Sequence, residues 1–371
     1  MGSTLAVFLL LGCGSARRER AADEQGEFTP KERLGKLLFF DEDLSTPPGQ
    51  SCATCHAPDA GFGDPNQELP VSRGAHPDRF GNRNDLTAAY AAFIPPRRFD
   101  EDEGLWVGGL FWDGRVADLA AQAKAPPLNP LEMANPDLET IAAAIRAADY
   151  RDLFLEVFGQ DALDDAAKAF DRFAEAVAAY EATNEVSPFD SKYDLFLAGE
   201  VQLSEQELRG LDLYESEEKG NCAACHPNRR GADGSPPLFT DYTYDNLGTP
   251  KNPENPFYAL PRQLNRDGAD YVDLGLGPVV GDPGMNGMFR VPTLRNVGLT
   301  PPYMHNGVFK TLYQVVAFYN ARDVAPWPPP EWPENVNRDE LGNLGLTPQE
   351  ILDIVAFLHT LSDGYRTREG R

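Results

Sequence analysis

The stretch SCATCH at residues 51–56 returns as NCAACH at residues 221–226. Four of the chain's five cysteines sit in these two stretches, Cys52 and Cys55 in the first, Cys222 and Cys225 in the second. A histidine, His56 or His226, directly follows each second cysteine. Four-cysteine zinc places its pairs about 15 to 20 residues apart, far closer than these. A thioredoxin-like redox pair needs a strand-then-helix context, which neither stretch has. Cys-x-x-Cys-His fits covalent attachment of a c-type haem. Each thiol forms a thioether to a vinyl group, and the adjacent histidine is held against the ring face, where it can ligate the iron. The repeat therefore predicts two covalently bound haem c groups, with His56 and His226 as their proximal ligands.

Outward from the motifs the chain reads as helices separated by long loops. KERLGKLLFF (31–40) has helical spacing, with Leu34, Leu37 and Leu38 apolar. PDLETIAAAIRAA (136–148) opens with proline and acidic residues, as helix starts do. DDAAKAFDRFAEAVAAYEAT (164–183) places Phe170, Phe173, Val177 and Tyr180 on one face. SEQELRGLDLY opens with a capping box of Ser204 and Glu207. TPQEILDIVAFLHTL starts from a Thr347 cap with proline at its first helical position. APWPPPEWP (325–333) reads as a rigid extended loop. Strand signals are few, and the 33 glycines and 32 prolines argue for extensive loop. The expected fold is mainly α, with two cytochrome c-like helical haem domains and long Gly/Pro-rich loops. A boundary at SPFDSKYD (187–194) divides it into an N-terminal haem domain, 26–190, and a C-terminal haem domain, 191–371.

A length of 371 residues is more than one hydrophobic core usually serves, which agrees with two domains. The net charge of −25 argues against nucleic acid as a partner, because phosphates would repel it. It also disfavours charge-driven binding to anionic membranes. It suits either solubility or a basic protein partner. The N-terminal run Leu5 to Leu11 is too short to span a bilayer and resembles the apolar part of an export signal. LLGC ending at Cys13 resembles a bacterial lipobox, the alternative being an ordinary signal with an incidental cysteine. On the first reading residues 1–25 are a lipoprotein-type leader and tether, the protein is periplasmic, and a lipid on Cys13 is its only membrane contact.

From about residue 28 to 362 the chain resembles the bacterial di-haem cytochrome c peroxidase and MauG superfamily. LFFDEDLS, SCATCH, FGNRN, GGLFWDGRVADLAAQA, LNPLEM, NCAACH, FRVPTLRNVGLTPPYMHNG and TLYQVVAFY carry the resemblance. It implies an exported enzyme using hydrogen peroxide, which meets the N-terminal haem while the C-terminal haem stores or relays electrons. VSRGAHPDRFGNRN and WVGGLFWDGR resemble the branch associated with methanobactin loci, whose members oxidise a partner's tryptophan.

The resemblance also implies roles for single residues. The position that holds a methionine ligand to the C-terminal haem in one subtype holds Tyr319 here, as in MauG-like members. A phenolate is a hard anionic donor that favours highly oxidised iron, and axial ligands set potential and reactivity. The competing ligands are Met285, Met288 and Met304. His76 keeps the spacing of a histidine that caps the resting N-terminal haem in some members and is absent in MauG-like ones; ligand and plain loop histidine both stand. Gln122 and Glu132, with Pro126 between them, match the residues that hold peroxide and move its proton, a task for a buried carboxyl of raised pKa. Without the resemblance, Glu132 reads as a carboxylate near a helix start. Trp112 matches a tryptophan between the two haems that relays electrons, against a plain core role. Asn84, with the carbonyls of Thr300 and Pro302, matches a calcium site between the domains, and hard oxygen donors suit that ion. His305 belongs to a motif near the second haem, and His359 reads as a surface or packing residue. The expected partners are hydrogen peroxide and a protein electron donor or protein substrate. Two other readings stand beside this one. One is a detoxifying peroxidase fed by a small cytochrome c. The other is a non-catalytic electron carrier with both irons permanently six-coordinate.

Overall fold

The computed structural model describes residues 28–231 and 234–366. The leader, the tether and Cys13 lie outside the described residues. As expected, helices and loops dominate. Strands form only two small antiparallel ribbons among the described residues, Arg98–Asp100 with Leu105–Val107 and Tyr244–Asp245 with Phe289–Arg290.

Among the described residues, two hydrophobic cores form. The first gathers Leu34, Leu38, Phe39, Ile141, Ile145, Phe154, Phe173 and Tyr180. Its centre is the crossing of the Pro30–Phe39 helix with the Ala166–Glu181 helix. The first of these starts from Thr29, whose hydroxyl accepts from Glu32 N while the Glu32 carboxylate accepts from Thr29 N. Leu34, Leu38 and Phe39 turn inward, but Leu37, expected on the apolar face, is 44% exposed. The reason is Gly35, whose position faces the partner helix so closely that a Cβ there would lie 1.9 Å from Ala176 O and 2.9 Å from Tyr180 Cβ. The helix therefore rests on its glycine side, and Leu37 is turned out.

The second core gathers Tyr193, Tyr214, Phe239, Ile354, Phe357 and Leu361 around the crossing of the Glu205–Glu215 and Pro348–His359 helices. Both carry the capping boxes read from the sequence, Ser204 with Glu207 and Thr347 with Glu350. The same device recurs, since a Cβ on Gly210 would meet Asp353 O at 2.0 Å and Phe357 Cβ at 2.9 Å.

The halves meet over buried polar contacts. Arg83 pairs with Asp113 at 2.7 Å and, through two parallel bonds of 2.6 and 2.7 Å, with Asp273 of the C-terminal half. The Arg295 guanidinium, fixed by Asp194, lies 4.8 Å from the Tyr90 ring and 4.4 Å from the Phe189 ring. The Tyr90 hydroxyl donates to Asp363 at 2.7 Å.

Candidate active site

Each Cys-x-x-Cys-His stretch opens onto its own cavity. The N-terminal cavity, about 1300 Å³ with its mouth included, is lined by Cys52, Cys55, His56, Gln122, Pro126 and Glu132. The C-terminal cavity, about 1770 Å³ on the same terms, is lined by Cys222, Cys225, His226, Met304 and Tyr319. Trp112, Asn84, Asp85 and Arg290 belong to the walls of both.

The two histidines are prepared alike. His56 Nδ1 lies 3.1 Å from Phe62 O, and His226 Nδ1 lies 2.8 Å from Phe239 O. A carbonyl oxygen only accepts, so Nδ1 carries the proton and Nε2 keeps its lone pair for a metal. Burial lowers both imidazole pKa values, that of His226 to about 4, which keeps the rings neutral. Burial also pushes the Cys52 and Cys222 thiols up to about 12.

Arg290 supplies an independent test of fit. It is 3% exposed, yet its guanidinium makes only long bonds, 3.4 Å to Phe111 O and 3.3 Å to Val291 O. No carboxylate pairs with it among the described residues. A buried cation without an anion is costly, and the carboxylates of a porphyrin in either cavity would supply one. Paired thiols, a neutral imidazole with a free Nε2, and an unpaired arginine together fit a haem in each cavity.

Gln122 lies on the short Leu119–Ala123 helix, capped by Asp118, and Pro126 on the Ala125–Leu128 helix that follows. The chain then turns back so that Glu132 enters the same cavity, its Oε1 accepting from Asn129 Nδ2 at 2.7 Å. Burial, helped by the Asp85 charge, pushes the Glu132 carboxyl up to about 7. Trp112 is held at both ends: its Nε1 donates to Asn84 O at 2.8 Å, and its backbone oxygen accepts from Arg290 N at 2.8 Å. His305, stacked on Phe289 at 3.7 Å, meets the Trp112 ring edge-on at 6.5 Å.

Tyr319 is carried into the C-terminal cavity by the Leu312–Ala321 helix. Of the competing methionines, Met304 shares that cavity and Met285 and Met288 do not. Asn84, Thr300 and Pro302 are each among the residues that line it. His76 lies on a loop outside the lining of either cavity, its backbone oxygen accepting from Arg79 N at 3.0 Å. His359 is exposed. The sequence reading missed Arg290, whose only signal was a lone cation in the apolar stretch MFRVP. It also missed Asp85, and Ser72, whose hydroxyl lies between the Asp64 and Asp85 carboxylates.

Comparison with known proteins agrees with this geometry. Residues 29–202 match the family model for di-haem cytochrome c peroxidase. The methylamine utilization protein MauG of Paracoccus denitrificans is 41% identical over 96% of this chain and 93% of its own length. Cytochrome c551 peroxidase of Pseudomonas aeruginosa is 34% identical over 90% of this chain and 78% of its own. The crystal structure of the diheme peroxidase BthA from Burkholderia thailandensis superposes with a TM-score of 0.78 at 32% identity, covering 93% of this chain and 87% of that one. A MauG-like protein associated with microbial copper homeostasis gives 0.67 at 32% identity, covering 91% of each chain. The chain belongs to the family of di-haem cytochrome c peroxidases and MauG, and is an oxidoreductase with two haem c groups.

Proposed function

We propose that this enzyme reduces hydrogen peroxide at the N-terminal haem and oxidises a protein partner by long-range electron transfer through the C-terminal haem, held by His226 and Tyr319. The observation that carries this reading is that Tyr319 lines the same C-terminal cavity as His226 and the two cysteines. When bound, the haem irons supply the redox change. The protein supplies the rest. The Gln122 amide holds the peroxide by hydrogen bonds. The Glu132 carboxylate takes the proton from the near oxygen and returns it to the far one, so that the bond between them breaks with water as the leaving group. Trp112, clamped between Asn84 and Arg290, shortens the electron path between the cavities. Burial pushes the Tyr319 phenol well above its ordinary pKa, so only a cation in that cavity makes it a phenolate.

In this reading Asn84 and the carbonyls of Thr300 and Pro302 hold calcium and tie the ion to the Trp112 contact. The enzyme works in the periplasm, anchored by a lipid on Cys13. Its partner is a protein electron donor or substrate, and the charge of −25 suits a basic one. Changing Tyr319 to Phe tests the assignment. The variant should keep two haems by mass but lose the C-terminal haem's visible and EPR signature. An unchanged spectrum and unchanged peroxide product would show that Tyr319 is no ligand. A second reading, a detoxifying peroxidase fed by a small cytochrome c, is favoured by Met304 in the same cavity. In that case Met304→Leu, and not the tyrosine variant, alters the spectrum.

A further inference from the structure

Glu181 ends the Ala166–Glu181 helix, is 5% exposed, and has no hydrogen-bond partner for its Oε2. It lines the N-terminal cavity with Gln122 and Glu132. Among charged groups, it acts most strongly on the Cys52 thiol. A buried carboxyl without a partner costs free energy, so the fold alone does not account for it.

The other half of the molecule shows what the fold alone requires. Gly35 meets Ala176 and Tyr180, and Gly210 meets Asp353 and Phe357, so Ala176 corresponds to Asp353 and Tyr180 to Phe357. Val177 then corresponds to Ile354, and Glu181 to Leu358. The correspondence holds in the cavities: Ile354 and Leu358 line the C-terminal one, Val177 and Glu181 the N-terminal one. Leucine fills the seat in one half, and the half assigned to peroxide has an acid there.

We propose that Glu181 is a second acid of the peroxide site, a protonated carboxyl that donates a hydrogen bond to the oxidant or to cavity water and supplies a proton for its reduction. The inference rests on the assignment of peroxide to the N-terminal haem. Reduction of one hydrogen peroxide breaks the O–O bond, takes two electrons from the haems and two protons, and releases two waters. Glu132 moves the proton that peroxide brings. Glu181 gives one of the two consumed, and solvent restores it.

The surroundings favour the protonated form. Burial pushes the carboxyl up to about 8, and the last turn of a helix disfavours negative charge. Its neighbours are Cys52 and Tyr180; the Tyr180 hydroxyl donates to Glu185, which Lys36 of the Pro30–Phe39 helix neutralises at 2.6 Å. Glu132, Asp85, Arg115 and His56 stand elsewhere around the same cavity.

The test uses the holoprotein and fluoride, an iron ligand that draws on proton donors in the cavity. In the parent, infrared difference spectra should show the absorption of un-ionised carboxyl groups shifting on fluoride binding. Glu181→Gln should lack one component of that absorption, and its second-order rate with peroxide should fall about tenfold, the weight of one hydrogen bond. It should also lose the limb of the pH profile in which the rate declines as pH rises through about 8. Glu181→Leu, which copies Leu358, should keep two haems by mass and the parent's melting temperature, yet show the same loss. A Gln variant with every carboxyl component, or a Leu variant reacting at the parent rate, overturns the proposal. If the Leu variant does not fold, the near-isosteric Gln variant decides alone. A parent without any fluoride response removes the peroxide-site assignment, and this inference with it.

Discussion

At the scale of single residues, the sequence displayed the groups that would hold the haems and hid the groups that prepare them. Cys52, Cys55, His56 and their C-terminal counterparts are legible because their spacing is dictated by covalent attachment. The carbonyls of Phe62 and Phe239, which set both imidazole tautomers, are backbone atoms and leave no mark in side-chain pattern. Arg290 and Glu181 are conspicuous only once burial is known. Glu132 has a consequence in pH. In the proposed mechanism its carboxylate is the working form, and burial with the Asp85 charge pushes its pKa up to about 7. The rate of reaction with peroxide should therefore rise with pH through about 7, and Glu132→Gln should flatten that rise while slowing the reaction about 100-fold at neutral pH. Stopped-flow measurements between acid and mildly alkaline pH check both outcomes, and a variant at the parent rate would remove Glu132 from the mechanism.

At the scale of elements, helices were read well and their contact faces less so. The segments 136–148 and 164–183 contain the observed Leu138–Ala147 and Ala166–Glu181, trimmed by the Asp137 and Asp165 caps. Leu37 was misplaced because periodicity counts apolar residues and ignores glycine, while Gly35 decides how the helix lies. The Arg98–Val107 hairpin was not read at all; its strands are three residues each, too short for an alternation signal. A methyl group at Gly35 would strike backbone, which cannot rotate away. Gly35→Ala should cost about 1–3 kcal/mol by overpacking, and Gly210→Ala the same. Leu37→Ala on the exposed side should stay within about 0.5 kcal/mol of the parent. Chemical denaturation of the three variants separates these outcomes.

At the scale of the whole molecule, two cores were expected from length and a doubled motif, and two are found. What joins them was not legible, because Arg83, Asp113 and Asp273 lie far apart in sequence with no shared pattern. Burial works against the Asp273 carboxylate, but the Arg83 guanidinium outweighs it and holds the pKa at about 2. A carboxyl depressed on folding stabilises the native state above its unfolded value of about 3.9 and loses that contribution as pH falls through the folded one. Contact between the halves should therefore weaken between pH 4 and about 2, by about 2 kcal/mol from this group. Melting curves across that range should flatten in Asp273→Asn, and an equal acid dependence in variant and parent would discount the pair.

Trp112 gives this junction a further meaning. Its indole is fastened to Asn84 of one half and its backbone to Arg290 of the other, so the aromatic side chain that, among the described residues, belongs to both cavity walls is built across the seam. On the relay role proposed for Trp112, parting the two lobes would open the electron path even with both lobes folded. The seam would then serve as a fuse in the proposed mechanism: copies whose halves have come apart would be insulators, unable to pass oxidising power outward.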